Sequence, residues 1–128
     1  MTSPITPSDI AAARYVSLVT FKRNGAEVAT AVWIAPRDGK HYVFSAGEAW
    51  KVKRLRHTPQ VRLALCTGAG RVTSAWCDGR ARMVEDPKVI AAAYRSFRQK
   101  YGIAMRLADI GAKLSGRFKR RAIIEIVV

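Results

Sequence analysis

The sequence predicts a mainly β fold, an antiparallel barrel with peripheral helices, on three observations. Runs of β-branched and aromatic residues near the start are separated by tight-turn dipeptides. Both faces of the first two such runs carry apolar or small residues, as in strands covered on both sides. The chain also ends in a run, Phe118 to Val128, whose Ile123, Ile124, Ile126, Val127 and Val128 are too apolar for an exposed edge. With 128 residues and 49% hydrophobic content, a single domain over residues 1–128 is expected. That content excludes a disordered polycation, which lacks apolar residues to offset its ordering entropy.

Element by element, Thr6-Pro7-Ser8-Asp9 reads as a helix start, with a capping Thr, Pro at the first helical position and an acid soon after. The short helix continues through Ile10 to Arg14. Tyr15 to Phe21 is a strand, and Asn24-Gly25 after it is a strong hairpin signal. A second strand, Glu27 to Ile34, leads to a turn at Pro36-Arg37-Asp38-Gly39 and a third strand, Lys40 to Ser45. Together they predict an antiparallel meander. Gly47 to His57 reads as a short helix with Trp50 and Leu55 facing inward, ended by Thr58-Pro59. Gln60 to Cys66 is a fourth strand, and Thr67-Gly68-Ala69-Gly70 a turn. Arg71 to Val84 is a long strand or a bent pair, with Asp78-Gly79 marking a bulge or hairpin. Asp86-Pro87 opens a second helix with Ile90, Tyr94, Phe97 and Tyr101 along one stripe. Gly102 to Ser115 reads as a weaker helical or loop segment broken at Gly111.

The charge is the strongest compositional signal. Lys+Arg number 23 against 9 Asp+Glu, a formal net charge of +14. An anionic partner is expected, and charge alone does not choose it. No run approaches the roughly 18 uncharged apolar residues of a membrane span, so no membrane partner is expected. Met1 to Ile10 lacks the basic and apolar regions of a signal peptide, and a cytoplasmic location is expected. Cys66 and Cys77 are too few for a disulfide scaffold and read as reduced, partly buried thiols. With His41 and His57, both expected at the surface, they lack paired metal-ligand spacing, so no metal site is expected.

The most informative segment runs from Ser45 to Arg56. A strand ends at a hydroxyl, passes through small residues and opens a helix whose early turns carry Lys51, Lys53 and Arg54. Cations there oppose the helix dipole, an arrangement that makes sense around a bound anion such as phosphate. A solvated basic helix face is the simpler alternative.

Three pieces together carry a resemblance: Thr30-Ala31-Val32-Trp33-Ile34, Ser45 to Arg54, and Thr58-Pro59-Gln60-Val61-Arg62-Leu63-Ala64. The sequence resembles the split β-barrel flavin-binding superfamily of pyridoxamine 5'-phosphate oxidase, and within it the members that use the deazaflavin coenzyme F420. The Trp-Lys-Val-Lys-Arg run, with Pro59 eight residues after Lys51, is its most specific part. Tyr15-Val16-Ser17-Leu18 before Asn24-Gly25, and the late Gly79-Arg80-Ala81-Arg82, also fit, so the resemblance covers nearly the whole chain.

The resemblance implies that Ser45 and Lys51 hold the cofactor phosphate, with Ala46, Lys53 and Arg54 close by. Val32 and Trp33 would lie along the cofactor ring, on a strand begun by Thr30 and Ala31. Ala31 stands where Pro is frequent and Ser45 where Thr is frequent. It also implies a homodimer with the cofactor at the interface, and hydride transfer between F420 and a small conjugated or quinone-like organic substrate. Reduction of the substrate is the direction most often expected of the family. No residue is singled out as a catalytic acid or base, because the cofactor carries the reacting carbon. FMN is the alternative cofactor; the charge excess favours F420, whose tail is a chain of glutamates.

Two other readings stay beside this one. A basic barrel of this size is a candidate nucleic-acid module, with nine basic residues against Asp109 between Ala92 and Arg121. No helix-turn-helix and no basic–aromatic interleaving accompany them, so a nucleic-acid partner is not expected. A split-barrel protein that binds FMN or a haem-like ligand is the other. Trp33, Trp50 and Trp76 are open to ring stacking or to core packing.

Overall fold

A computed structural model describes residues 5–46, 54, 55, 57–114 and 121–128. Helix α1 (Pro7–Ala12) opens at the predicted Thr6 cap, which the structure completes as a capping box: Asp9 N–H donates to Thr6 Oγ1 and Thr6 N–H donates to Asp9 Oδ2. The sheet is built from β1 (Val16–Phe21), β2 (Glu27–Val32), β3 (Ala35–Arg37), β4 (Lys40–Ala46), β5 (Gln60–Leu65), β6 (Cys77–Val84) and β7 (Arg121–Val127). Helices α2 (Pro87–Tyr101) and α3 (Ile103–Leu114) lie between β6 and β7.

All seven strands form one antiparallel sheet in the order β2-β1-β5-β6-β7-β4-β3. It is curled, because one core receives Val32 from β2 at one end and Val43 from β4 near the other. Val16, Leu18, Leu63, Ile124 and Ile126 fill that core, and Ile10 of α1 and Leu55 join it. On the outer face Ala35, Tyr42, Val84 and Ile123 pack against Tyr94, Phe97 and Tyr101 of α2 and Met105 of α3. Alternation along β7 explains why both faces carry isoleucines, since Ile123 serves one core while Ile124 and Ile126 serve the other.

Several expectations are corrected. The first three strands are not a meander. After β2 the chain leaves the sheet at Trp33-Ile34 and returns as the β3–β4 hairpin at the opposite edge. Pro36 and Arg37 belong to β3, and the turn is Asp38-Gly39 with φ of 51° and 76°, the left-handed pair that suits a two-residue hairpin. β6 runs straight through Asp78-Gly79. Glycine stands there because a Cβ would lie 3.1 Å from the Val127 carbonyl oxygen and 3.2 Å from Leu63 Cδ1. Of residues 71–76, only Val72 bridges, to Cys66. Helix α3 is unbroken at Gly111.

His41 is 3% exposed rather than a surface residue. It lies opposite Ile126 and two residues from Val43, on the face that fills the first core. Neither ring nitrogen has a hydrogen-bond partner among the described residues. Burial and the nearby Lys100 ammonium hold its pKa below the ordinary histidine value. His57 is exposed, as expected. Cys66 and Cys77 are free, half-buried thiols pushed above their ordinary pKa by burial, which makes them poor nucleophiles.

Candidate functional site

The residues proposed to bind a cofactor ring sit at the end of β2, an edge strand. Its outward backbone N–H and C=O groups have no sheet partner among the described residues, leaving hydrogen-bonding capacity for a planar heterocycle. Thr30 lies opposite Leu18 and Ala31 opposite Ser17, both half-buried and on alternate faces. Val32, opposite Val16, is buried in the first core. Its side chain packs the barrel, so only its backbone is available to a ligand.

Trp33 is half-buried and stacks on Tyr101, with ring centroids 4.5 Å apart and planes 10° from parallel. Phe44 meets it edge-on at 6.3 Å. One face of the indole is thus already used by α2. Tyr101 also holds the backbone after Trp33: Ile34 N–H donates to the Tyr101 hydroxyl at 3.0 Å, and that hydroxyl donates to the Arg14 carbonyl at 2.7 Å. Lys100 Nζ donates to the carbonyls of Ala13 at 2.5 Å and Ile34 at 2.6 Å. Burial pushes its pKa down to about 8. These contacts fix where β2 ends.

Arg54 is the described member of the basic cluster. Its Nε–H donates to Thr20 Oγ1 at 2.6 Å, and burial lowers its pKa from the ordinary guanidinium value. Thr20 is 1% exposed and pairs with Val28 of β2, two residues from Thr30 along the same face. The fold therefore brings Arg54 to the β1–β2 hairpin that carries Thr30. Lys51 and Lys53 lie outside the described residues, as does Trp50. Ser45 and Ala46 end β4 opposite Ala122 and Arg121; their side chains lie outside the described set. The sequence reading missed Thr20, a mid-strand residue with nothing to mark it. It also missed Lys100, which adjoins the apolar stripe that revealed Tyr101.

A second polar cluster lies on the outer face. Glu125, 4% exposed, accepts two hydrogen bonds from Arg82, at 2.9 and 3.0 Å, and one from the Tyr42 hydroxyl at 3.1 Å. Lys40 Nζ is 3.7 Å away. The Arg82 hydrogen bonds lead in holding its carboxyl below the usual carboxylate range. Every described charge here is spoken for, so the cluster is read as structural.

A family model described as pyridoxamine 5'-phosphate oxidase matches residues 8–128. The chain belongs to this family. Solved structures of the same fold include the conserved hypothetical protein Rv2991 from Mycobacterium tuberculosis, at 21% identity and a TM-score of 0.68, covering 98% of this chain and 81% of that one. HutZ, the haem storage protein from Vibrio cholerae, is 15% identical with a TM-score of 0.67, over 89% of this chain and 80% of its own. A haem binding protein from Mycobacterium smegmatis is 15% identical with a TM-score of 0.62, over 96% of this chain and 51% of its own. These likenesses show the split-barrel fold. No curated protein sequence matches the chain. Among the described residues, no helix is long and apolar enough to cross a membrane.

The described residues fit a phosphate-bearing planar cofactor. A guanidinium anchored on β1 lies beside an edge strand with open backbone groups and a half-buried Thr30 hydroxyl.

Proposed function

We propose that the protein is a homodimeric oxidoreductase that binds coenzyme F420 and passes a hydride between it and a small conjugated or quinone-like organic molecule. The observation that carries this reading is Arg54, hydrogen-bonded to Thr20 on the strand next to the open edge β2, in a chain of net charge +14. Bound F420 supplies the reacting carbon for a two-electron transfer. The chain's part is to bind and orient. Arg54, together with Lys51, Lys53 and Ser45 from the resemblance, holds the phosphate. The backbone of residues 30–33 aligns the ring, with Ala31 and Thr30 small enough to admit it. The remaining positive charge draws in and retains the polyglutamate tail, which FMN lacks.

Packing of the aromatics supports a cofactor over a nucleic acid. Trp33, Phe44, Tyr94, Phe97 and Tyr101 pack against one another, edge-on as well as stacked, rather than forming a platform for bases. The haem-named neighbours make haemin the competing ligand to include in the test.

Purified protein is titrated separately with F420 and FMN, followed by fluorescence, and with haemin, followed by absorbance. Micromolar or tighter F420 binding is expected, weakened about tenfold or more by Lys51→Ala or Arg54→Ala, each removing a charge-assisted hydrogen bond. Binding of FMN or haemin with no binding of F420 would overturn the assignment.

A further inference from the structure

Helix α3 turns one apolar stripe away from the protein. Ile103, Leu107 and Ile110 are 74%, 64% and 56% exposed. Their spacing of four and then three residues places them on one helical face. The opposite face is used: Met105 is fully buried against α2, and Asp109, 7% exposed, lies 3.4 Å from Arg98. The helix starts at a fixed turn, where Gly102 adopts a φ of 56° and its carbonyl accepts from the N–H groups of Met105 and Arg106. The stripe is therefore held outward by a docked helix. It is not a loose segment awaiting its own core.

Charge decides what covers it. From Pro87 to Leu114 the sequence carries six Lys and Arg against a single acid, the buried Asp109; of the six, Lys100 is turned inward onto the Ala13 and Ile34 carbonyls and Arg98 pairs with Asp109. Arg95, Arg98 and Arg106 are exposed. Three aliphatic side chains make a patch of a few hundred Å² at most, short of the roughly 800 Å² per partner that a stable dimer buries. A second copy would also bring like charges together around it. An apolar stripe flanked by the exposed Arg106, three residues from Ile103 and four from Ile110, on a helix pair with net positive charge instead matches the surface of an anionic lipid bilayer, where aliphatic side chains enter the acyl boundary and basic ones meet the headgroups.

We propose that α3 docks the protein peripherally on anionic membrane surfaces through Ile103, Leu107 and Ile110. The lack of a run long and apolar enough to span a bilayer does not bear on surface docking. The proposal is independent of the cofactor reading.

Full-length protein is sedimented with phosphatidylcholine vesicles, with and without phosphatidylglycerol. The expected result is binding to the anionic vesicles only, weakening as salt is raised. The Leu107→Gln, Ile110→Gln double variant should lose about tenfold or more of that affinity, since each lost aliphatic side chain is worth at least that in transfer. Both positions are exposed, so folding is preserved, and size-exclusion elution should match the parent protein. Failure to bind anionic vesicles, or equal binding by the variant, overturns the proposal. So does a shift of the variant to a smaller assembly, which would show that the stripe seats a second copy.

Discussion

Replacing Tyr101 by Phe removes one oxygen and tests how the end of β2 is held. The ring remains, and with it the stack on Trp33 at 4.5 Å. What is lost is the acceptor for Ile34 N–H and the donor to the Arg14 carbonyl. Ile34 is fully buried, so its N–H has no water to turn to. An orphaned buried donor costs about 1–3 kcal/mol. The Arg14 carbonyl belongs to an exposed residue and is rehydrated at little cost. The Ile34 carbonyl keeps Lys100. The net expectation is a loss of about 2 kcal/mol, which lowers the urea midpoint by about 1 M and the melting temperature by about 8 °C. Urea unfolding followed by tryptophan fluorescence reads it directly, with the slope unchanged. Tyr101→Leu should cost about 1 kcal/mol more, for the lost stacking. A Tyr101→Phe loss below about 0.5 kcal/mol would refute the idea that this hydroxyl fixes the end of β2.

Lys100→Met should destabilise by about 1–3 kcal/mol at neutral pH, through the Ala13 carbonyl left without its partner. Because the folded-state pKa of Lys100 is depressed to about 8, the unfolded chain binds more protons between that value and the ordinary lysine pKa. The stability advantage of the parent over the variant should therefore grow as pH rises through this window; equal differences at neutral and alkaline pH would argue against the depression. Arg82→Met leaves the buried Glu125 with Tyr42 and a distant Lys40, costing about 1.5–3 kcal/mol for a lost charged hydrogen-bonding partner. Glu125 has a lowered folded-state pKa, so its contribution is present above the ordinary glutamate value and lost as pH falls through the folded one. The acid-unfolding midpoint of Arg82→Met should accordingly move to higher pH, as circular dichroism would show. Gly79→Ala forces a Cβ to 3.1 Å from the Val127 carbonyl oxygen and should cost about 1–3 kcal/mol in the same urea assay.

Elements that depend on neighbours in sequence were legible in it. The Thr6 helix cap, the Asn24-Gly25 hairpin and the Tyr94-Phe97-Tyr101 stripe all took their predicted form. Errors came where distant residues decide. His41 looks like a polar residue beside a turn until β7 lays Ile126 opposite it. Gly79 looks like a bulge until Leu63 and the chain terminus crowd its α-carbon. Gly111 looks like a break, yet α3 is secured by Met105 against α2 and keeps its helical hydrogen bonds through that point. At the candidate site, Arg54 stood out in the sequence as one of a basic run. Its partner, Thr20, did not, because a threonine in a strand carries no mark of what it will bind.

The failed meander bears most directly on function. Had the third strand folded back on β2, it would have hydrogen-bonded the outward groups of residues 27–32 and closed the edge beside Arg54. The chain does not fold back because Ile34 is claimed elsewhere: its N–H goes to Tyr101 and its carbonyl to Lys100, residues 67 and 66 positions later. Trp33 is drawn onto Tyr101 by the same turn of α2. Those contacts carry the strand across to the opposite edge of the sheet, where it pairs with β4 alone. One helical turn far along the sequence thus leaves β2 as an open edge. The openness of the proposed cofactor strand is a consequence of how α2 packs, so substitutions at Lys100 and Tyr101 should reach ligand binding without touching the ligand.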